Sequence, residues 1–507
     1  MAKLLVQTYD ANVDLKDYLG NTPLILAAST QNKPMVDFLL KKHASKHLTN
    51  KKGVSAMMEA ASSGCRDIVG ALHCKGYNLE LSDSQGWTPL MFSSFSGDPS
   101  TVEFLLDVGA KIDASSNLCA TSLIIACGQS QEKAVSVLLD RGASVNAKDL
   151  NGQTALIYAA KNDHKAILEL LLRRGADVNL ADVFKRTALM HAVLNTDFEN
   201  NVFKNFWMVH VDEANLAGNT ALHFCSSWGH LDAVAILLLH NANPNVINLN
   251  GDSPIMLAAA KGHDEIVERF LNCDLCDVNQ CNTKDGRTSL MIATHFNHLS
   301  TVMLLTKSKV HVNSKNKSGN TALHLSVMKG FTNVVKHLLT VQNIDIYSEN
   351  ISGMTPFFLC DEYHQCEILE LLVKPGNDVK KTNRFGEDVI TFSIKLKSLE
   401  ALQILQQRCQ ISPAEKNRYL EVARRRCYFE IVDFLQQWKP SENTQEANNI
   451  APFTLQASIK KEPLPDIASM TVNNARSSND HDLLSTSMEQ QIDDSDRFSV
   501  NSDQILK

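Results

Sequence analysis

One short pattern returns along most of this chain and leaves few folds open to it. A hydroxyl residue, then proline or a small residue, then an aliphatic or aromatic one recur at Thr22-Pro23-Leu24, Ser55-Ala56-Met57, Thr88-Pro89-Leu90, Thr121-Ser122-Leu123, Thr154-Ala155-Leu156, Thr187-Ala188-Leu189, Thr220-Ala221-Leu222, Ser253-Pro254-Ile255, Thr288-Ser289-Leu290, Thr321-Ala322-Leu323 and Thr355-Pro356-Phe357. Successive starts lie 33 residues apart, except for one step of 35 (253 to 288) and one of 34 (321 to 355); a degenerate copy at Asp388-Val389-Ile390 keeps the 33-residue step. A period of that size marks an array of supersecondary units.

Each copy has the same anatomy. The Thr is an N-cap, and proline after it sits at the first helical position, where its missing N–H costs nothing. Small residues follow (Ala27-Ala28, Ala60-Ala61, Ala159-Ala160, Ala258-Ala259) and let neighbouring helices approach closely. A glycine-based break comes next, as at Gly229-His230 and Gly262-His263, then a second helix with an apolar stripe, as in Ala166 to Leu172. Gly142 and Gly175 end such helices. An extended stretch (Ala176-Asp177-Val178-Asn179) and a turn (Asp149-Leu150-Asn151-Gly152) complete the cycle. No unit can bury its apolar face alone, so neighbours must stack.

This anatomy resembles the ankyrin-repeat family, whose unit of the same length opens T-P-L-H-x-A. The likeness runs over roughly residues 1–438 and is far more specific for fold than for function. The motif's His is kept at His223 and His324, while Met58, Met91, Met190, Met256 and Met291 often replace it. The resemblance implies an all-α solenoid of about twelve helix-turn-helix units with β-hairpin loops, an arc roughly 120 Å long without an enclosed pocket. On this reading residues 1–20 are a partial N-terminal unit, 21–410 the ankyrin repeats, 411–438 a capping helix pair and 439–507 a disordered acidic tail.

Three places depart from the pattern. Leu4, Leu5 and Val6 begin the chain inside the second half of a unit; either the chain is a shortened form, or this apolar edge contacts something else. The unit opening at Thr187 replaces its leucine stripe with Asn200 to Trp207, so stacking is expected to be weakest there; Phe206 and Trp207 either fill the gap or form a hinge or docking spot. At the far end Arg424, Arg425 and Arg426 read as the solvated face of a cap or as a nuclear-import patch.

Composition narrows the function classes. No apolar run reaches the roughly 18 residues of a membrane span, no secretory signal is visible, and the twelve cysteines lack framework spacing, so a cytoplasmic or nuclear location is expected. The net charge of -7 does not suggest a nucleic-acid binder. From 440 to 507 there are 11 Asp and Glu against 5 Lys and Arg, a balance of -6, so the other 439 residues sum to about -1. That segment is rich in Ser, Asn and Asp and poor in aromatics, which cannot order itself by burial. Within it Ile459-Lys460-Lys461-Glu462 matches a SUMO acceptor pattern on Lys460, a short and weakly specific match, and Ser477, Ser485 and Ser495 are candidate phosphosites.

Catalytic, metal and cofactor sites are not assigned. Phosphate-cradling GxxxxGK[ST], GxSxG and HExxH motifs are missing, and Cys273, Cys276 and Cys281, with His263 or Asp274 as the nearest fourth ligand, read better as three thiols in a loosened loop. His230 and His263 match the family's turn position, with ring hydrogen bonds expected locally. The family resemblance also matches Asn146, Asn179, Asn245 and Asn279 to the hairpin asparagine that asparaginyl hydroxylases modify.

What remains is a surface. In the family, hairpin tips and the end of the first helix line a concave groove; in register these are Trp87, Phe95, Phe184, Trp228, Phe296 and Tyr363, with Leu19, Leu150, Leu216, Leu249 and Phe385 at further tips. Each either packs on a neighbouring hairpin or belongs to an interface hot spot for an extended peptide or a helix. The expectation is a non-enzymatic scaffold or adaptor whose partners are other proteins, without nucleic acid, membrane insertion or small-molecule substrate. The alternative is a regulatory or targeting subunit of an enzyme such as a phosphatase or ubiquitin ligase. An enzyme or channel carrying such repeats would need a further folded domain or a membrane segment.

Overall fold

The computed structural model describes residues 12–73, 78–194, 210–363, 365–373 and 379–439. Within them one unit repeats: a hairpin turn, a first helix of six to eight residues, a tight break, a second helix of seven to ten residues and a return loop. First helices pack on the first helices of adjacent units and second helices on second helices. The chain is helical as expected, but the hairpins carry only isolated antiparallel bridges, such as Thr49 with Ser55 and Lys148 with Thr154, and no longer strands are found among the described residues.

The capping chemistry explains where each first helix starts. Thr22 is extended (φ -86°, ψ 160°) and its Oγ1 accepts the Ile25 N–H at 3.3 Å. Thr88, Thr121, Thr154, Thr187 and Thr288 repeat this at 3.3–3.4 Å. The residue three positions on answers in the reverse direction. His223 Nδ1 accepts the Thr220 N–H at 3.1 Å, and the sulfur of Met58 or Met91 takes the equivalent N–H at 3.4 and 3.5 Å. Methionine therefore replaces histidine without losing that half of the reciprocal cap.

The break between helices is built across units. Gly229 closes its helix at φ +86°, and the ring of His263 from the next unit lies so close that a Cβ on Gly229 would stand 2.9 Å from it. His263 Nε2 donates to the Ser227 carbonyl at 3.0 Å, His298 Nε2 to that of Ala260 at 3.0 Å, and Gln131 Nε2 to that of Phe95 at 3.1 Å. These bonds correct the expectation of local turn bonds: the His263 and His298 rings satisfy the last carbonyls of the preceding unit's first helix.

The core follows the small-residue pattern. Ala28, Ala60, Ala61, Ala159, Ala258 and Ala259 are fully buried between first helices, and each second helix turns its stripe inward, as Ile167, Leu168 and Leu171 do. Fully burying one such leucine is worth roughly 1.5–3 kcal/mol. The stack continues past the degenerate unit: Ala188–Val193 packs against both Ala155–Lys161 and Ala221–Trp228. Phe206 and Trp207, like Leu4, Leu5 and Val6, lie outside the described residues.

The two-residue insertion divides between two places. The hairpin residues Asn248 and Asn282 are 34 apart rather than 33, and the hairpin itself holds the other extra residue. Asn248 N–H reaches the carbonyl of Asp252 (3.0 Å), whereas Asn282 N–H reaches one residue further, to Arg287 (2.8 Å).

The described array ends on a longer pair, Pro413–Arg425 and Phe429–Gln437. Ser412 and Glu415 cap it reciprocally at 2.7 and 3.2 Å. Tyr419 is fully buried and donates its hydroxyl to Asp388 at 2.9 Å, while Arg424, Arg425 and Arg426 are exposed.

Candidate functional site

The first residue of each hairpin organises the turn. Asp83 Oδ1 accepts the N–H groups of Gln85 (2.9 Å) and Trp87 (2.8 Å); Asn248 Oδ1 accepts those of Asn250 and Asp252 at 3.0 Å each. Adjacent tips are then joined through the backbone. The Leu150 N–H donates to Leu118 O (2.9 Å), Val183 to Asn151 (2.9 Å), Leu216 to Phe184 (3.0 Å) and Leu249 to Ala217 (2.9 Å). With main chain committed to this ladder, the tip side chains point outward. Leu118, Leu150, Val183, Phe184, Leu216 and Leu249 are all exposed, and Leu249 is 80% exposed. At the widened hairpin the Asn282 side-chain amide reaches Asn250 O at 3.1 Å.

Beneath two of these tips lie buried polar nodes. The Tyr158 hydroxyl donates to Asp149 Oδ2 at 2.9 Å. In the next unit Asp182 Oδ2 accepts from Arg186 Nε at 2.9 Å and from His191 Nε2 at 3.0 Å. Burial pushes the Asp149 carboxyl up, opposed only in part by the Gln153 N–H and the Tyr158 hydroxyl. Burial acts on Asp182 too, but the bonds from His191 and Arg186 outweigh it and hold that carboxyl low. Burial pushes the His191 imidazole down, opposed in part by its bond to Asp182.

The aromatic residues singled out in the sequence divide into two groups. Phe184 and Trp228 are open, with the Arg186 guanidinium 5.0 Å from the Phe184 ring centre and Trp228 43% exposed. Trp87 and Phe95 are half-buried against each other (5.7 Å between centroids), and Trp87 also meets Phe92 edge-on at 5.4 Å. Phe296 is half-buried between His295 (5.1 Å) and His298 (6.4 Å), and Tyr363 is half-buried with its hydroxyl pushed up by that burial. Lys460, Ser477, Ser485 and Ser495 fall outside the described residues.

Sequence reasoning missed Leu118 because its hairpin, Ser116-Asn117-Leu118-Cys119, has no glycine; Cys119 takes the positive φ (59°) instead. Counting the register from the neighbouring tips would have found it. Asn146, Asn179, Asn245 and Asn279 have a structural duty: each Oδ1 accepts an N–H from the following unit's loop, at 2.7–3.0 Å. Cys273 and Cys276 bracket a turn (Cys276 N–H to Cys273 O, 3.0 Å), burial first raises the Cys276 thiol to about 12, and Cys281 is exposed. Among the described residues no group of three His, Cys, Asp or Glu is placed to hold a metal ion, and no helix is long and apolar enough to cross a membrane.

The family described as Ankyrin repeats (3 copies) matches this chain at residues 1–83, 43–116, 113–182, 175–248, 234–316, 255–350 and 296–383. The chain is an ankyrin-repeat protein. Its relatives match part of this array. The nuclear factor NF-kappa-B p105 subunit of Gallus gallus is 31% identical over 161 residues, 31% of this chain and 16% of the relative. A probable E3 ubiquitin-protein ligase XBOS33 of Oryza sativa subsp. japonica is 39% identical over 87 residues, 17% of this chain and 16% of the relative. The transient receptor potential cation channel subfamily A member 1 of Homo sapiens is 28% identical over 169 residues, 32% of this chain and 15% of the relative. The chain thus spans about a sixth of the length of these relatives, and their names cover quite different activities. Ankyrin repeats are protein-protein interaction modules, typically non-catalytic, and enzymes that carry them do their chemistry in other domains.

Proposed function

We propose that this chain is an interaction scaffold or adaptor that holds a partner protein on its hairpin and first-helix face. The observation that carries this reading is the run of five consecutive hairpins, from Leu118 to Leu249, that present bulky apolar side chains to solvent from a hydrogen-bonded backbone ladder. Stacking needs the second-helix stripes and the alanines; it does not need exposed leucines at tips. A preformed ridge also loses little ordering entropy on binding. We further propose that it works in the cytosol or nucleus, since the described cysteines are free thiols, and that the segment after residue 439, with Lys460, is regulatory.

The test is proximity labelling with the wild-type chain and with a Leu150→Asp, Leu216→Asp, Leu249→Asp variant. The reading requires partners that the variant loses while its thermal melt stays in place. Partners retained in full would refute it. A second reading, a targeting subunit of an enzyme, draws on matched relatives named as E3 ubiquitin-protein ligases, in rice and in Arabidopsis thaliana. Stoichiometric co-purification of an enzyme would select it.

A further inference from the structure

The tips do not carry apolar side chains along the whole array. Next to the ridge on one side the exposed tip residues are Lys51 and Lys52, then Ser84 and Gln85, and on the other Thr283, Lys284 and Lys317, while apolar tips return farther out at Tyr18 and Leu19 and at Ile351 and Phe385. The five-tip apolar ridge is therefore flanked on each side by polar and mainly cationic tips, and lysines also occur along it. Lys185 shares a tip with Phe184, Lys261 is the last residue of the first helix that follows the Leu249 hairpin, and all of Lys185, Lys261, Lys284 and Lys317 are exposed.

The acids of the same face are withdrawn from solvent. From residue 149 to 330 the hairpin turns and first helices contain four, Asp149, Asp182, Asp252 and Asp285, while the exposed Asp212 and Glu213 lie on the loop that leads into the Leu216 turn, Glu213 beside His210. Asp149, Asp182 and Asp252 are buried, spent on their own turns and on Tyr158, His191 and Asn282. Asp285 pairs with Arg287 at 2.7 Å. Outer-helix acids such as Glu265 and Glu268 lie on the opposite, second-helix side of the unit. Solvent facing the ridge thus meets apolar tips in a positive field, although the array as a whole is near neutral. Such a field repels basic segments and steers acidic ones.

We infer that the partner segment held by this face is acidic: an extended stretch in which Asp or Glu alternate with bulky apolar residues, the apolar ones seated on Leu150, Phe184, Leu216 and Leu249 and the acids facing Lys185, Lys261 and Lys284. This rests on the proposal that the hairpin face binds protein, and names the chemistry of what it binds. Five tips at about 10 Å per unit span some 40 Å, which about twelve extended residues cover at ~3.3 Å each.

The experiment is selection of a randomised twelve-residue displayed peptide library against the full chain. Synthetic copies of the enriched peptides are then titrated by fluorescence polarisation, at low and high salt, against three proteins. These are the wild type, a charge variant (Lys185→Glu, Lys261→Glu, Lys284→Glu) and a tip variant (Leu150→Ala, Leu216→Ala, Leu249→Ala). All six positions are exposed, so circular dichroism melts should match. The inference expects peptides rich in Asp and Glu together with Leu, Phe or Trp, weakened by salt and about tenfold or more by either variant. If the peptides are neutral or basic, depend on the tip leucines and ignore the charge variant, the acidic chemistry is overturned while the binding face stands. If nothing enriched responds to the tip variant, the binding face itself falls.

Discussion

The imidazole of His223 joins two units: its Nδ1 accepts the Thr220 N–H at 3.1 Å, and its Nε2 donates to the carbonyl of Asp252, 3.1 Å away in the following unit. His324 repeats the pair with Thr321 (3.2 Å) and Met354 (3.1 Å). One ring nitrogen must stay bare and the other protonated. Burial opposes the cation, and both rings are held down to about 4.

The folded value lies below the free histidine value of about 6.5, so the unfolded chain takes the proton first as pH falls. The stability from these rings is complete above about pH 6.5 and is lost progressively toward pH 4. His223→Met keeps the Nδ1 role through sulfur, as Met91 does, but has no donor for Asp252. It should cost about 1 kcal/mol at pH 7.5 and reduce the loss of stability between pH 6.5 and 4.5. Urea melts at about pH 7.5, 6.5 and 4.5 measure both; an unchanged pH slope would contradict the assignment.

Asp149 and Asp182 occupy the same hairpin position in adjacent units and should respond oppositely to amidation. Asn248 shows that an amide serves the turn equally well. Asp149→Asn relieves a buried carboxylate raised by burial and should leave stability unchanged, or raise it by up to about 1 kcal/mol at pH 7. Asp182→Asn loses the charge that pairs with Arg186 and should cost about 2 kcal/mol. Because its carboxyl is held low, the Asp182 contribution is present above the unfolded value near 3.9 and fades only as pH falls below it. Denaturant melts of the two variants decide; a similar loss in both would reject the distinction.

Gly229 and Gly142 share a positive φ, +86° and +85°, but a Cβ would meet the His263 ring at Gly229 and nothing within 4 Å at Gly142. Gly142→Ala should cost about 1 kcal/mol from backbone strain alone. Gly229→Ala should cost clearly more, since it also displaces His263 from the Ser227 carbonyl. Equal melting temperatures for the two variants would show that the ring yields freely.

Trp228 and Phe296 stand at the same register position yet differ in burial. Trp228→Ala should change stability by less than about 0.5 kcal/mol while weakening partner binding. Phe296→Ala opens the space beside His295 and His298 and should cost about 1–2 kcal/mol. Thermal melts, read beside binding of any partner found by labelling, separate the two roles; a large stability loss for Trp228→Ala would place that ring in the core.

The recurrence of Thr, small residues and glycine was enough to determine the fold, because a cap, a close helix approach and a positive φ are local demands that only certain residues meet. It was enough, too, to locate the hairpin tips by counting, and to show that Met could stand for His at Met58 and Met91. Three matters were decided only by stacking. His263 and His298 bond across units, because the unsatisfied carbonyls nearest to them belong to the preceding helix. Trp87 and Phe95 fold onto each other whereas Trp228 remains open, because Trp87 at the edge of its own hairpin lies within reach of Phe95. Asp149 and Asp182 diverge in charge behaviour because one faces a tyrosine and the other an arginine and a histidine. A repeat sequence specifies its register locally, but burial and electrostatics at each position depend on what the neighbouring elements place against it.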